Sequence, residues 1–245
     1  MELGAHLNES LKFVTVFSFT FFGREIPVTE TVVVTWAVMA VLIIAALLLT
    51  RNLKQIPRGV QCILEGAVEF LNGFSRRQFG ARAGVYGPYV GTVFLFLLLA
   101  NIIPVLSPIA AFGREPPFTI KPPARDINFT AALALISILL VLFGGIRARG
   151  LKGWGKHLLS PVPMMLPFNL LEFVIRPLSL CLRLFGNILG GFIIMLLIEF
   201  VAPIIAPPVL SLYFDFLDGL IQALVFTFLT ILFIAEAVEG EKVKN

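Results

Sequence analysis

RPLSLCLRLFGNILGGFIIMLLIEF, residues 176–200, holds Arg183 and Asn187 inside a run otherwise apolar enough to cross a bilayer. An arginine at bilayer depth costs from about 3 to more than ~10 kcal/mol by differing estimates, so it marks a partner or a task. The run belongs to an apolar segment over 166–202, followed by a second over 208–237. Pro203, Pro207 and Pro208 mark the hairpin between them. A hydrocarbon core of about 30 Å needs roughly 20 residues of helix, so segments this long are expected to tilt or kink.

The rest of the chain has the same character. It is 58% hydrophobic and 14% charged, with 24 phenylalanines and a mean hydropathy of +0.95. A soluble domain carries roughly 25% charged residues. A first span is expected at 31–50, ended by Arg51, Lys54 and Arg58 with Pro57. Over 60–82, Val60, Ile63, Leu64, Ala67, Val68, Leu71 and Phe74 recur at helical spacing among Glu65, Glu69, Arg76 and Arg77, which predicts an amphipathic helix. Two further spans, 86–107 and 127–146, flank a proline-rich loop, and the later one ends at Gly144-Gly145 before the basic stretch RARGLKGWGKH. The prediction is an all-α polytopic membrane protein. It has about five membrane-crossing helices plus one amphipathic helix, ends in a long tilted helical hairpin at 166–237, and forms a single membrane domain over 1–245 with an N-terminal segment at 1–30.

Charge sets orientation. Six lysines and arginines lie in the 51–82 connection and four in 147–156, whereas the three between spans two and three are offset by Glu115 and Asp126. The positive-inside rule puts the first two connections in the cytoplasm, the N-terminus outside and the C-terminal tail inside. The net charge of +4 is spent on topology, so no nucleic acid is expected as a partner. Cys62 and Cys181 stand apart, with no CxxC and no His/Cys cluster, so neither a disulfide framework nor a metal site is expected, and Cys181 reads as a small buried hydrophobe. The first residues lack the pattern of a cleavable signal and read as mature chain.

On a helix, Glu172, Arg176, Ser179, Arg183 and Asn187 step by three or four and share one face. Lipid cannot satisfy such a stripe, so it faces protein, water or a partner. Gly186, Gly190 and Gly191 allow another helix to approach closely. Asp215, Asp218 and Gln222 form a second stripe on the last helix. Two facing stripes read as a route for ions across the membrane; a purely structural buried Arg–Asp pair is the plainer alternative.

SLCLRLFGN (179–187) with IQALVFTFLTILF (221–233) resembles the subunit a family of F-type ATP synthases, bacterial type. ARDINFTAALAL (124–135), LLLANIIPVL (97–106) and KHLLSPVPMMLPFNLLE (156–172) agree, and the likeness runs from about residue 60 to 238. The resemblance implies a static subunit beside a rotating ring of c subunits, each with one membrane-embedded carboxyl, reached by two offset half-channels from opposite sides. Arg183 matches the family's arginine between them. Unit charges about 4 Å apart interact by roughly 4 kcal/mol at an effective dielectric near 20. That lowers a carboxyl pKa by about 1–3 units, enough to favour ion release yet weak enough for rotation to break. Lysine would serve less well, because it deprotonates when buried.

By the same resemblance, Asn187 and Gln222 orient Arg183 and line its site, with an interhelical packing bond as their plainer role. Asp215 matches an ionisable position of the outer half-channel. Its usual partner is missing, because Phe192 stands where relatives often carry Glu or His. Glu199, seven residues on and on the same helix face, is the geometric substitute, lining the outer path with Asp215 and Asp218; a hairpin-end carboxylate in the headgroup region is its plainer role. Glu172 and Arg176 are candidates for the other half-channel, and His157 reads as interfacial. Asn101 and Thr130 are motif matches without a defined role, while Asp126 and Asn128 suit the cap of a span.

The partners implied are the c-ring, the subunit b stator, the remainder of the F1Fo complex and membrane lipids, in the plasma membrane of a bacterium. No cofactor is expected, and the coupling ion, H+ or Na+, is set on another chain. A secondary transporter with its own substrate site is the alternative, but no paired repeats support it. The chain has no GxxxxGK[ST] to hydrolyse ATP, so it is expected to be a non-catalytic, ion-translocating subunit.

Overall fold

The computed structural model describes residues 14–21, 23–51, 53–54, 57–103, 121–159, 163–201, 210 and 212–238. The proline-marked turn at 203–208 and the tail after 238 lie outside them. Among the described residues a hairpin of β1 (Thr15–Phe21) and β2 (Arg24–Thr29) leads into six α-helices. These are α1 (Glu30–Thr50), α2 (Val60–Phe79), α3 (Ala83–Ile102), α4 (Ile127–Leu158), α5 (Leu166–Val201) and α6 (Gly219–Val238). Five of them, all but α2, are long and apolar enough to cross a membrane, and at most 44% of any such stretch is buried within the chain. The chain is thus an all-α polytopic membrane protein, with α2 as its amphipathic helix.

The hairpin was not anticipated in the 1–30 segment. TVFSFTF alternates aromatic and polar residues at the strand period, and Gly23 takes the positive φ of 73° that the turn requires. Phe19 pairs with Ile26 and Ser18 with Pro27, a proline tolerated because a two-stranded sheet has only edges.

The chain divides into two compact units. The first comprises Met1–Lys54, Leu95–Phe129 and Phe185–Ala223, the second Gln55–Phe94, Thr130–Leu184 and Leu224–Asn245. In the first unit Val34, Val38 and Ala100 are buried together, with Leu42, Phe96 and Leu99 packed around them. The Phe96 and Phe129 rings meet at a centroid separation of 5.8 Å. At the head of α4 the Asp126 carboxylate accepts from the Asn128 backbone N–H at 2.9 Å, the cap expected from its sequence.

In the second unit Phe79, Tyr86, Val90, Val141, Ala148, Ile231, Ile234 and Val238 form the core. Gly144 and Gly145 do not end α4. A Cβ at Gly144 would lie 3.0 Å from the Tyr86 hydroxyl, and one at Gly145 3.4 Å from Trp154, so the pair admits close packing within the helix. The break comes at Gly150, with φ 72° and ψ 161°, after which the helix resumes to Leu158. Cys181 is buried as expected, 3.4 Å from the Thr130 hydroxyl.

Candidate functional site

α5 runs unbroken through Arg183 and Asn187, with Pro177 inside it. Leu180, Cys181, Leu184, Ile188 and Gly191 form its buried face. Leu178 and Leu182 point outward. Arg183 and Asn187 are exposed on the stripe between, and among the described residues Arg183 makes no ion pair and no hydrogen bond. A side chain added at Gly186 or Gly190 would meet open space, whereas one at Gly191 would touch Phe214 at 3.4 Å. Of the three glycines, then, only Gly191 serves a close approach among the described residues. Gly186 leaves the surface beside Arg183 shallow.

The first unit gathers polar groups at the start of α6. The Asp218 carboxylate accepts from the Gln222 amide at 3.3 Å, and Gln222 is buried. Asn101 donates to the Gly219 carbonyl at 3.3 Å, and a Cβ at Gly219 would fall 2.8 Å from that of Asn101. Asn101 thereby acquires a place: it packs the end of α3 against the first turn of α6. The backbone at Asp215 lies in the π-helical turn Leu212–Asp218 and that at Glu199 in α5. The side chains of both, like that of His157, lie outside the described residues.

The same unit holds a charge cluster that the sequence reading missed. Arg125, only 2% exposed, is paired with Glu30, which also meets Lys121 at 3.5 Å. The Arg125 guanidinium stacks 5.0 Å from the centroid of the Phe192 ring. Burial pushes the Arg125 pKa below the usual arginine range, against the upward pull of Glu30 and Asp126. The position that breaks the expected acid pairing is therefore a platform for a cation.

The second unit contains another. Arg176 donates to Glu172 at 2.7 Å and to Glu236 at 2.8 Å, and its guanidinium lies 4.9 Å from the centroid of Phe233. Glu172 is one turn away on α5 and was legible from the stripe. Glu236 is not, because 60 residues separate it from Arg176 and no motif marks it. A cavity of about 180 Å³ opens here, lined by Arg149, Trp154, Glu172, Phe173, Arg176 and Glu236 among others. Among the described residues no group of His, Cys, Asp and Glu is placed to hold a metal ion.

Comparison with known proteins bears on this arrangement. Residues 32–235 match the family described as ATP synthase A chain, so the likeness includes the first span as well as the later motifs. Among curated proteins, the chain is 39% identical over 215 residues to ATP synthase subunit a of Moorella thermoacetica, covering 88% of this chain and 93% of that one.

Proposed function

The chain belongs to the ATP synthase A chain family, and from that premise we propose that it is the static ion-conducting subunit a of the Fo motor. In this reading it acts as one membrane domain, with its N-terminus outside and its C-terminus in the cytoplasm of a bacterial cell. It is not itself catalytic. It works within the F1Fo complex, against a c-ring and held by subunit b. Two offset half-channels lead H+ or Na+ to and from the ring, and Arg183 meets the ring carboxylates between them.

One observation carries the proposal. Arg183 is an exposed guanidinium, without an ion pair among the described residues, on a helix apolar enough to span a bilayer. Left in hydrocarbon, it would bear the full penalty of an intramembrane charge. A carboxylate on another chain removes that penalty, and the bare surface at Gly186 leaves room for a helix to bring one. Arginine keeps its charge through every encounter, so the site favours the ionised ring carboxyl and passes no proton itself.

The remaining roles follow this assignment. Asn187 lies one turn from Arg183 on the same face and lines the ring contact. Gln222, held by Asp218, lines the site from α6. Glu199 with Asp215 and Asp218 serves the outer path, and Glu172 with Arg176 the inner one.

The test uses the assembled complex in inverted membrane vesicles. Arg183→Ala abolishes ATP-driven ion pumping while the c-ring and ATPase head still co-purify with the chain. Glu199→Gln lowers pumping in the same assay. Normal pumping by Arg183→Ala would refute the proposal, as would transport by the purified chain alone in liposomes, the behaviour of a secondary transporter.

A further inference from the structure

We infer that Glu236 is a proton-transferring group of the inner path, working in a hydrated vestibule that Arg176 holds open between α5 and α6; this rests on the ion-conducting function proposed above. The cavity beside Arg176 is about 180 Å³. A water needs on the order of 10–15 Å³ of such volume and two to four polar partners, so the cavity accommodates several. Partners are plentiful, since Arg149 from α4, Glu172 and Arg176 from α5, and Glu236 from α6 are the charged groups that line it.

The geometry separates the duties of these groups. Arg176 is only 14% exposed, and its charge is shared between two carboxylates that are 53% and 58% exposed. Each glutamate engages it through Oε1. The second oxygen of each is left for water, so each carboxylate touches the buried cation on one side and solvent on the other. Arg149 fixes the local backbone of α6 by donating to the Glu236 carbonyl at 3.2 Å. Phe233 supports the guanidinium from below, at 4.9 Å. Two turns of α5, roughly 10 Å of rise, separate this level from Arg183. That is a distance for a short chain of waters.

The step is a proton transfer alone. The Glu236 carboxylate binds a proton from hydronium in the bulk and releases it to the waters of the cavity, and in the synthesis direction the sequence reverses. Arg176 stays charged throughout and excludes other cations from the neck. Glu172, bound to the same guanidinium, is the second carboxylate at the mouth. Glu172, one turn away on α5, keeps the guanidinium paired within its own helix while Glu236, the partner from α6, takes up and gives back the proton.

The experiment follows ATP-driven proton pumping by the complete complex in inverted vesicles over a range of pH. Glu236→Gln is expected to lower pumping on the order of 10-fold at neutral pH, less than the ~10²-fold or more lost with a proton-transferring group in a transition state, because the waters still conduct. Its rate should recover as the pH falls, with a steeper dependence than the wild type, since bulk hydronium then replaces the missing carboxyl. Glu236→Asp should keep both rate and profile. A Glu236→Gln complex with wild-type rate and profile overturns the inference. Loss of assembly in Glu236→Gln, or an equal loss of rate in Glu236→Asp with an unmoved profile, overturns it too, as marks of a purely structural tie. Arg183→Ala, run alongside, separates the two failures: if it pumps normally the function itself is wrong, and if it is inactive while Glu236→Gln pumps like the wild type, only Glu236 is misassigned.

Discussion

Arg176 and Arg183 lie two turns apart on one face of α5, yet among the described residues only the first finds counterions. The difference is one of neighbours, because α6 brings Glu236 to one and no carboxylate to the other. Arg125 is a third case, buried and stacked on Phe192 with Glu30 as its partner. Removing one member of a buried pair costs about 3–5 kcal/mol, because the other charge stays buried without compensation. Glu30→Gln should therefore lower the midpoint of thermal disassembly of the detergent-solubilised complex. The double substitution Glu30→Gln with Arg125→Met removes both charges and keeps an apolar side chain over Phe192. It is expected to recover most of that loss, and a double variant as unstable as Glu30→Gln alone would refute the pairing.

Among the elements, α6 depends on a glycine that the motifs did not single out. A Cβ at Gly219 would sit 2.8 Å from that of Asn101, backbone-tethered and unable to swing away. Gly219→Ala should cost about 1–3 kcal/mol as an overpacking change and lower the amount of chain in the membrane. Gly186→Ala meets nothing within 4 Å, and alanine favours the helix by roughly 1 kcal/mol over glycine, so the chain should accumulate normally. Gly186→Leu tests the surface itself. It leaves accumulation unchanged and impairs pumping if another helix passes this point, and normal pumping would put the partner elsewhere. Immunoblotting of membranes and the vesicle assay read the two effects separately. The same logic explains Gly144 and Gly145, which look like a helix end in the sequence and are packing positions in α4. Gly150, with its positive φ, is where α4 actually breaks.

For the whole molecule, the orientation proposed above rests on the basic connections at 51–82 and 147–156. A cysteine placed at Gly23, in a background without Cys62 and Cys181, should react with a membrane-impermeant thiol reagent from outside intact cells. One placed at Lys152 should react only in inverted vesicles. The reverse pattern would invert the topology and exchange the outer and inner paths. The spans themselves were legible because burial in lipid imposes a rule on every residue of a helix, and that rule can be read one segment at a time: α1 begins one residue from its expected start. The hairpin at 15–29 escaped because its alternation is short and lies beside far stronger helical signals.

Sequence alone was thus sufficient for the membrane class, the helices, the polar face of α5 and the family likeness centred on Arg183. Each of these depends on residues near one another in the chain or on a motif. Which charges are satisfied depends instead on how the helices pack. The tertiary structure joined Glu30 to Arg125 across 95 residues and Glu236 to Arg176 across 60, and left Arg183 exposed. The physical reason is that an ion pair depends on distance in space, falling off with separation and with solvent, and a chain folded back on itself sets those distances without any local pattern to announce them.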